Sequence, residues 1–204
     1  MILPALSSPT IARLVSYNAS VTTEWNDPRW RVPDSTPVEA RLRLLRDLAF
    51  VGSLDPAVQV FAKRSTGLTL PSGAIAPPPL PSETELATRV LRAAQSAGYR
   101  PDPPGEWYQT VKYTMTRGGD CEDLTATLIA LCMIVGLRAE PVWIDQPGSP
   151  LNHVTGRICV DGKWLWADPT VTEARLGEHP YAAFERTKSW NKIAAASELG
   201  LYQR

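Results

Sequence analysis

Apolar residues recur at helical spacing in the first half of the chain, and helix-start signals precede them. Residues 36–39, Thr-Pro-Val-Glu, combine a hydroxyl cap, a proline at the first helical position and a glutamate at the third. Asp55-Pro56 starts a second helix, and residues 82–85, Ser-Glu-Thr-Glu, form a capping box for a helix ended by Gly98. The predicted apolar faces are Leu42, Leu45 and Leu48; Val58, Val60 and Phe61; and Leu86, Val90, Leu91 and Ala94.

A further helix is predicted to begin at Cys121 and to end at Gly136. Two glycines and Asp120 come directly before it, so the chain breaks there and the aspartate can cap the helix. The thiol therefore falls on the first turn. One buried side is expected, formed by Leu124, Leu128, Leu131, Cys132 and Val135 at i, i+4, i+7, i+8 and i+11.

Strand-like segments follow this helix at 137–144, 153–160 and 163–167. Asp161-Gly162, between the last two, is a strong signal for a two-residue hairpin turn. The pattern predicts an α+β fold in which the cysteine-bearing helix packs on an antiparallel sheet. The tail is expected to form one short helix, at about 192–199.

The predicted organisation has four parts. These are an N-terminal arm (1–35), a helical lead-in (36–98) with a proline-rich linker (65–81), a core (99–190) and a tail (191–204). The arm contains two short apolar stretches, 11–17 and 19–25, that could be strands. The linker carries no charge, which is typical of a loop or a stiff spacer.

Composition narrows the classes of partner. The 204 residues are 44% hydrophobic, and 21 basic residues balance 21 acidic ones, so no net field favours nucleic acid or a membrane surface. Three cysteines do not predict a disulfide framework. The N-terminus has neither a basic region nor a long apolar stretch, so neither a signal peptide nor a transmembrane segment is expected there.

Cys121, His153 and Asp168 follow one another in an order that suits nucleophilic catalysis. A helix N-terminus and a nearby imidazolium both favour a thiolate, and an aspartate across a hairpin can hold the imidazole in one tautomer. The acidic neighbours Glu122 and Asp123 oppose a thiolate. Alternatively, the three residues are a buried structural cysteine, a loop histidine and a turn aspartate.

No metal site is predicted, since Cys121, His153 and Asp168 lack a fourth ligand and short ligand spacing. His179, the other histidine, lies outside the pattern.

Three motifs resemble the transglutaminase-like superfamily, which shares its core with papain-type thiol peptidases. They are Gly-Gly-Asp-Cys-Glu-Asp-Leu at 118–124, Asn-His-Val at 152–154 and Gly-Lys-Trp-Leu-Trp-Ala-Asp-Pro-Thr at 162–170. They lie within residues 100–170, about a third of the chain. The helical segment 37–64 also resembles the lead-in of phage and prophage members.

The resemblance implies that Cys121 is the nucleophile, His153 the base and Asp168 its orienting partner. It implies acyl transfer from an amide through a thioester, with no cofactor. The backbone N–H of Cys121 would supply one oxyanion donor. Gln109 is our choice for the second, although Tyr108 and Trp107 lie in the same upstream stretch.

The sequence therefore predicts a thiol hydrolase that cleaves a peptide or amide bond in a protein or peptide substrate. The expected setting is a phage or prophage, with the protein cytoplasmic or incorporated into the particle. The alternative is a non-catalytic structural component of a virion tail, neck or capsid, docking through the arm 1–35 and the linker 65–81. A crosslinking acyltransferase would use the same three residues.

Overall fold

The computed structural model describes residues 29–68, 80–145, 152–178 and 191–195. The candidate strands at 11–17 and 19–25, and most of the linker 65–81, lie outside the described residues. The described part contains five helices and six strands. The helices are α1 (Val38–Ser53), α2 (Pro56–Thr66), α3 (Glu83–Gln95), α4 (Val111–Arg117) and α5 (Cys121–Val135); the strands are β1 (Arg29–Val32), β2 (Glu106–Gln109), β3 (Arg138–Asp145), β4 (Asn152–Val160), β5 (Lys163–Ala167) and β6 (Asn191–Ala195).

The predicted start signals hold at two of the three lead-in helices. Asp55 caps α2 by accepting a hydrogen bond from Ala57 N at 2.8 Å, and Ser82 caps α3 by accepting one from Glu85 N at 3.2 Å. α1 starts one residue later than expected, because Pro37 occupies the N-cap position and no side chain caps the helix. The faces also agree with the pattern except at Val60, which is exposed.

α5 is the central helix of the molecule. The sequence predicts one buried side, but all residues from Glu122 to Cys132 are buried. The helix packs against α1, α3, β3 and β4, so neighbours cover it along most of its length. Gly156 of β4 lets the sheet approach closely, since a Cβ there would overlap the Leu128 side chain. The lead-in helices and the sheet thus share one hydrophobic cluster with α5.

Four antiparallel strands form the sheet in the order β5-β4-β3-β6. Asp161 and Gly162 both have positive φ (49° and 78°), as a type I′ hairpin turn requires. This confirms the predicted hairpin and the α+β fold with the cysteine-bearing helix on an antiparallel sheet. The predicted tail helix at 192–199 is wrong over the described residues, because 191–195 form β6. The edge of β3 offers backbone hydrogen bonds, and tertiary pairing overrides the helical propensity of the lysine and alanines in this segment.

A second, two-stranded sheet leads into the Cys121 helix. β1 pairs antiparallel with β2 in a register that sets Arg29 opposite Gln109. The sequence indicates only a mixed segment at 99–117, where the structure has β2 and α4. Among the described residues, no helix has the length and apolar character needed to cross a membrane.

Candidate active site

Two adjacent glycines set the start of α5. Gly118 has a φ of 77°, and a Cβ on it would lie 2.7 Å from the carbonyl oxygen of Gly98. A Cβ on Gly119 would lie 2.5 Å from both Asp123 Cβ and Gln109 Nε2. Only glycine fits either position without displacement. The bend delivers Cys121 to the first turn of α5, where the sequence predicts it.

His153 and Asp168 meet at the open end of the β4–β5 hairpin. His153 Nε2 and Asp168 Oδ2 are 3.0 Å apart. The hairpin register explains the meeting, since Gly156 pairs with Ala167 at the end of β5 and Asp168 follows directly. Cross-strand and diagonal neighbours on one face of a sheet lie within side-chain reach.

Asp168 is held as a carboxylate. Its side chain is 1% exposed, and its Oδ1 accepts hydrogen bonds from Thr170 N at 2.9 Å and Thr170 Oγ1 at 2.6 Å. Burial raises the pKa of Asp168, but the hydrogen bond and charge of His153 and the bonds from Thr170 outweigh it and lower that pKa below its ordinary value. Asp168 therefore contacts the imidazole as a carboxylate.

The Cys121 thiol lies next to the same strand but has an acidic contact. Its Sγ is 2.8 Å from Glu122 Oε2, and the cysteine is half-buried. Burial raises the pKa of Cys121 well above its ordinary value, and the charges of Glu122 and Asp120 add to the rise. A hydrogen bond from the backbone N–H of Val154, the residue after His153, opposes this rise. The thiol thus lies at the start of β4 in its protonated form.

Carboxyl groups crowd the α5 N-terminus. Burial raises the pKa of Asp120 to about 10, with further contributions from Glu122 and Asp102. Burial also raises the pKa of Glu122 to about 7, although the hydrogen bond from Cys121 lowers it. Asp120 occupies the N-cap position but makes no side-chain capping bond, contrary to the role suggested by its position. Within the described residues, Asp120 Oδ1 and Asp123 Oδ2 are buried without a hydrogen-bond partner.

This acidic cluster also contains two sets of side chains spaced like metal ligands, where the sequence predicts no metal site. Asp120, Cys121 and Glu122 form one set, and Asp102, Asp120 and Asp123 form the other. In each set the ligand atoms lie within 4.8 Å of one another. These are the described residues that could hold a cation.

Gln109, chosen as the second oxyanion donor, is buried beside the glycine bend. Its Nε2 donates to Gly118 O at 2.8 Å, and its backbone N donates to Asp123 Oδ1 at 2.9 Å. One of its two amide N–H bonds is therefore used to tie β2 to the start of α5. An oxyanion role would fall to the other N–H of the amide.

A cavity of about 250 Å³ adjoins the bend. Its wall carries the charged side chains of Arg29, Arg100 and Asp102 together with Gln109 and Tyr113. Tyr99 lies nearby on an exposed bridge to Gly119. Partial burial raises the pKa of Tyr99, and the charges of Cys121 and Asp120 raise it further.

Besides the two acidic sets, sequence reasoning missed two contacts of the site. The first is Thr170, which a signal could have revealed, because Asp-Pro-Thr is typical of a turn in which the aspartate accepts a bond two residues on. The second is the direct Cys121–Glu122 contact, since the sequence shows only that the two residues are adjacent. Their contact depends on side-chain direction, for which no local signal exists.

The chain matches no protein-family model and no curated protein. Among solved structures, it is similar to a candidate cysteine protease from Cytophaga hutchinsonii, with 16% identity and a TM-score of 0.40 over 68% of this chain and 47% of that one. It is also similar to a TGase, with 14% identity and a TM-score of 0.39 over 92% of this chain and 44% of that one. The chain spans less than half the length of each, and at these values neither similarity assigns it a family or an activity.

Proposed function

We propose that the protein is a transglutaminase-like thiol hydrolase that cleaves a peptide or amide bond through Cys121, His153 and Asp168. The observation that carries the proposal is the 3.0 Å hydrogen bond between His153 Nε2 and the buried Asp168 carboxylate. A buried carboxylate on one imidazole nitrogen is the arrangement that orients a general base. The thiol adjoins Val154, the next residue of the same strand.

The hydrogen bond to Asp168 supports a separate role for each imidazole nitrogen. With Nε2 carrying its proton toward Asp168, Nδ1 is the unprotonated ring nitrogen and acts as the base. Nδ1 takes the Cys121 proton as the sulfur attacks the substrate carbonyl. The tetrahedral intermediate then collapses to a thioester, and the amine leaves with the proton from the imidazolium. Water, deprotonated by Nδ1, hydrolyses the thioester and restores the thiol.

The backbone N–H of Cys121 is the first donor for the oxyanion, because the first N–H groups of a helix have no partner within it. The second donor is the remaining amide N–H of Gln109. Both groups converge on the Gly118–Gly119 bend that starts α5.

Iodoacetamide labelling against pH tests the proposal. Cys132 and Cys159 are buried, so they are poor references for a half-buried thiol. The informative comparison is Cys121 labelling in His153→Ala against His179→Ala, which removes the other histidine. We expect His153→Ala to slow labelling of Cys121 at pH 7 roughly tenfold or more, because the thiolate loses its partner, and His179→Ala to leave it unchanged. Equal rates in both variants would contradict the proposal.

The second candidate is a non-catalytic docking component of a virion that retains the fold. One observation favours it: the pKa of Cys121 lies well above its ordinary value, mainly through burial. For this candidate we expect slow labelling of Cys121, at the same rate in wild type and in His153→Ala. A crosslinking acyltransferase would instead show the histidine-dependent labelling and transfer an acyl group to an added primary amine.

The phage or prophage setting is also a proposal, as are contacts of residues 1–35 and 65–81 with virion proteins. It rests on the resemblance of segment 37–64. Tail or capsid genes beside the gene for this chain would support it, and a neighbourhood without such genes would count against it.

A further inference from the structure

The loop that follows Asp168 is held by a single buried side chain from a distant helix. Gln95, at the C-terminal end of α3, is 4% exposed. Its Nε2 donates to the carbonyl oxygens of Asp168 at 3.2 Å, Val171 at 2.7 Å and Ala174 at 3.0 Å. Three carbonyls spread over seven residues thus converge on one amide group.

The orientation of this amide is set by Arg92, one turn earlier on α3. Arg92 Nη1 donates to Gln95 Oε1 at 2.9 Å and also to Thr172 O. Because the guanidinium donates to the oxygen of the amide, the NH₂ group must face the loop. Arg92 and Gln95 therefore hold residues 168–174 together.

The opposite end of α3 contacts the other end of β5. Glu83 Oε2 accepts a hydrogen bond from Asp161 N at 2.7 Å, at the hairpin turn. The thirteen residues of α3 span about 20 Å and the five residues of β5 about 17 Å. The helix therefore reaches from the hairpin turn to the Asp168 loop.

We propose that Gln95 is a positioning residue for the candidate active site, and that α3 sets the distance between Asp168 and His153 by holding both ends of β5. This inference rests on the proposed function, since it concerns how the orienting carboxylate is held. Gln95 bonds the backbone oxygen of Asp168, which leaves the carboxylate free for His153 and Thr170. Loss of the Gln95 bonds would let the 168–174 loop move and lengthen the contact with the imidazole.

The test replaces Gln95 with methionine, which keeps the length of the side chain and removes its donor. Gln59→Met is the matched control, because Gln59 Nε2 also donates to a backbone carbonyl, that of Ser53, at 3.0 Å. The readout is the downfield proton resonance of the imidazole N–H bonded to Asp168. The signal is assigned by its loss in His153→Ala and its retention in His179→Ala.

We expect Gln95→Met to lose this resonance through exchange with water, and Gln59→Met to keep it. The histidine-dependent labelling of Cys121 should also fall roughly tenfold in Gln95→Met, since small displacements of catalytic groups have large effects on rate. Retention of the resonance in both variants, or its loss in both, would overturn the inference.

If Gln95→Met does not fold, Arg92→Gln provides the test instead. It removes the exposed guanidinium that donates to the amide oxygen of Gln95. A weakened resonance in folded Arg92→Gln supports the inference, and an unchanged one overturns it. The resonance does not depend on the thiol. Equal rates of Cys121 labelling in wild type and in His153→Ala would therefore refute the proposed hydrolase without affecting this test.

Discussion

The two halves of the candidate site have opposite electrostatic character. At the hairpin end, Asp168 has hydrogen-bond partners on both carboxylate oxygens and its pKa is lowered. At the helix end, Asp120 and Glu122 crowd the thiol, and burial raises the pKa of each. The proposed base is therefore organised in advance, whereas the proposed nucleophile is held in its protonated form. In the proposed mechanism, activation of Cys121 would therefore depend on the protonation of its acidic neighbours as well as on His153.

The largest effect is expected from Asp120→Asn at the helix end. The folded-state pKa of Asp120, about 10, is raised above its unfolded value. Its contribution to stability is therefore complete below about pH 4 and is lost as the pH rises toward 10. The asparagine variant lacks this loss, so we expect its free energy of unfolding to exceed that of wild type by ~2 kcal/mol or more at pH 8 and to match it near pH 4.

Urea unfolding at pH 4, 6 and 8 measures this difference. Asp34→Asn, on the exposed surface before α1, is the control and should follow wild type at each pH. A less stable Asp120→Asn at pH 8 would show that Asp120 is ionised and compensated in the folded protein, and the contrast between the two ends would disappear.

Asp168→Asn should show the reverse pH dependence at the hairpin end. The pKa of Asp168 is lowered, so its contribution to stability is present above the unfolded value of about 3.9 and is lost as the pH falls through the folded value. We expect the variant to be less stable than wild type by about 1–2 kcal/mol at pH 7 and the difference to shrink below pH 4. Urea unfolding at pH 7 and at pH 3 measures it, and a pH-independent difference would contradict the assigned charge.

Glu122→Gln should have the smallest effect, on reactivity rather than on stability. The substitution removes a charge 2.8 Å from the Cys121 sulfur and leaves a side chain of the same shape. We expect labelling of Cys121 by iodoacetamide to rise about fivefold at pH 8, because a lower thiol pKa increases the thiolate fraction. Near pH 5 the two rates should converge, since the pKa of Glu122 is about 7 and its carboxyl is then protonated in wild type.

Glu39→Gln, on the exposed surface of α1, is the control for this experiment. An unchanged rate at pH 8 would mean that Glu122 does not oppose the thiolate, and a rate below that of wild type would mean that Glu122 assists the thiol. The helix end would then resemble the hairpin end in its chemistry.

Much of the fold was predictable where the signals are local. The Asp55 and Ser82 caps lie within three residues of the N–H groups that they bind, and the Asp161-Gly162 turn requires only two residues with positive φ. β2 and β6 have no such signals. Each is four or five residues long and is stabilised by a partner strand distant in the chain. Short strands of this kind depend on tertiary pairing more than on propensity.

The candidate site also combines features that the sequence indicated with contacts between residues distant in the chain. The sequence indicated the order of Cys121, His153 and Asp168, and also the hairpin between the last two. The structure places His153 and Asp168 in contact. The bonds from Gln95 to the Asp168 loop span 73 to 79 residues, so no sequence pattern indicates them.

The sequence by itself determined the cysteine-bearing helix, the hairpin and the residue types of the candidate triad, because caps, tight turns and apolar periodicity are local properties. Only the tertiary structure decided the environment of those residues. It surrounded α5 with neighbours on all sides, crowded carboxyls at its start and held the Asp168 loop with Gln95. Burial sets the protonation of Cys121, and burial is a property of the packed molecule rather than of any segment of the chain.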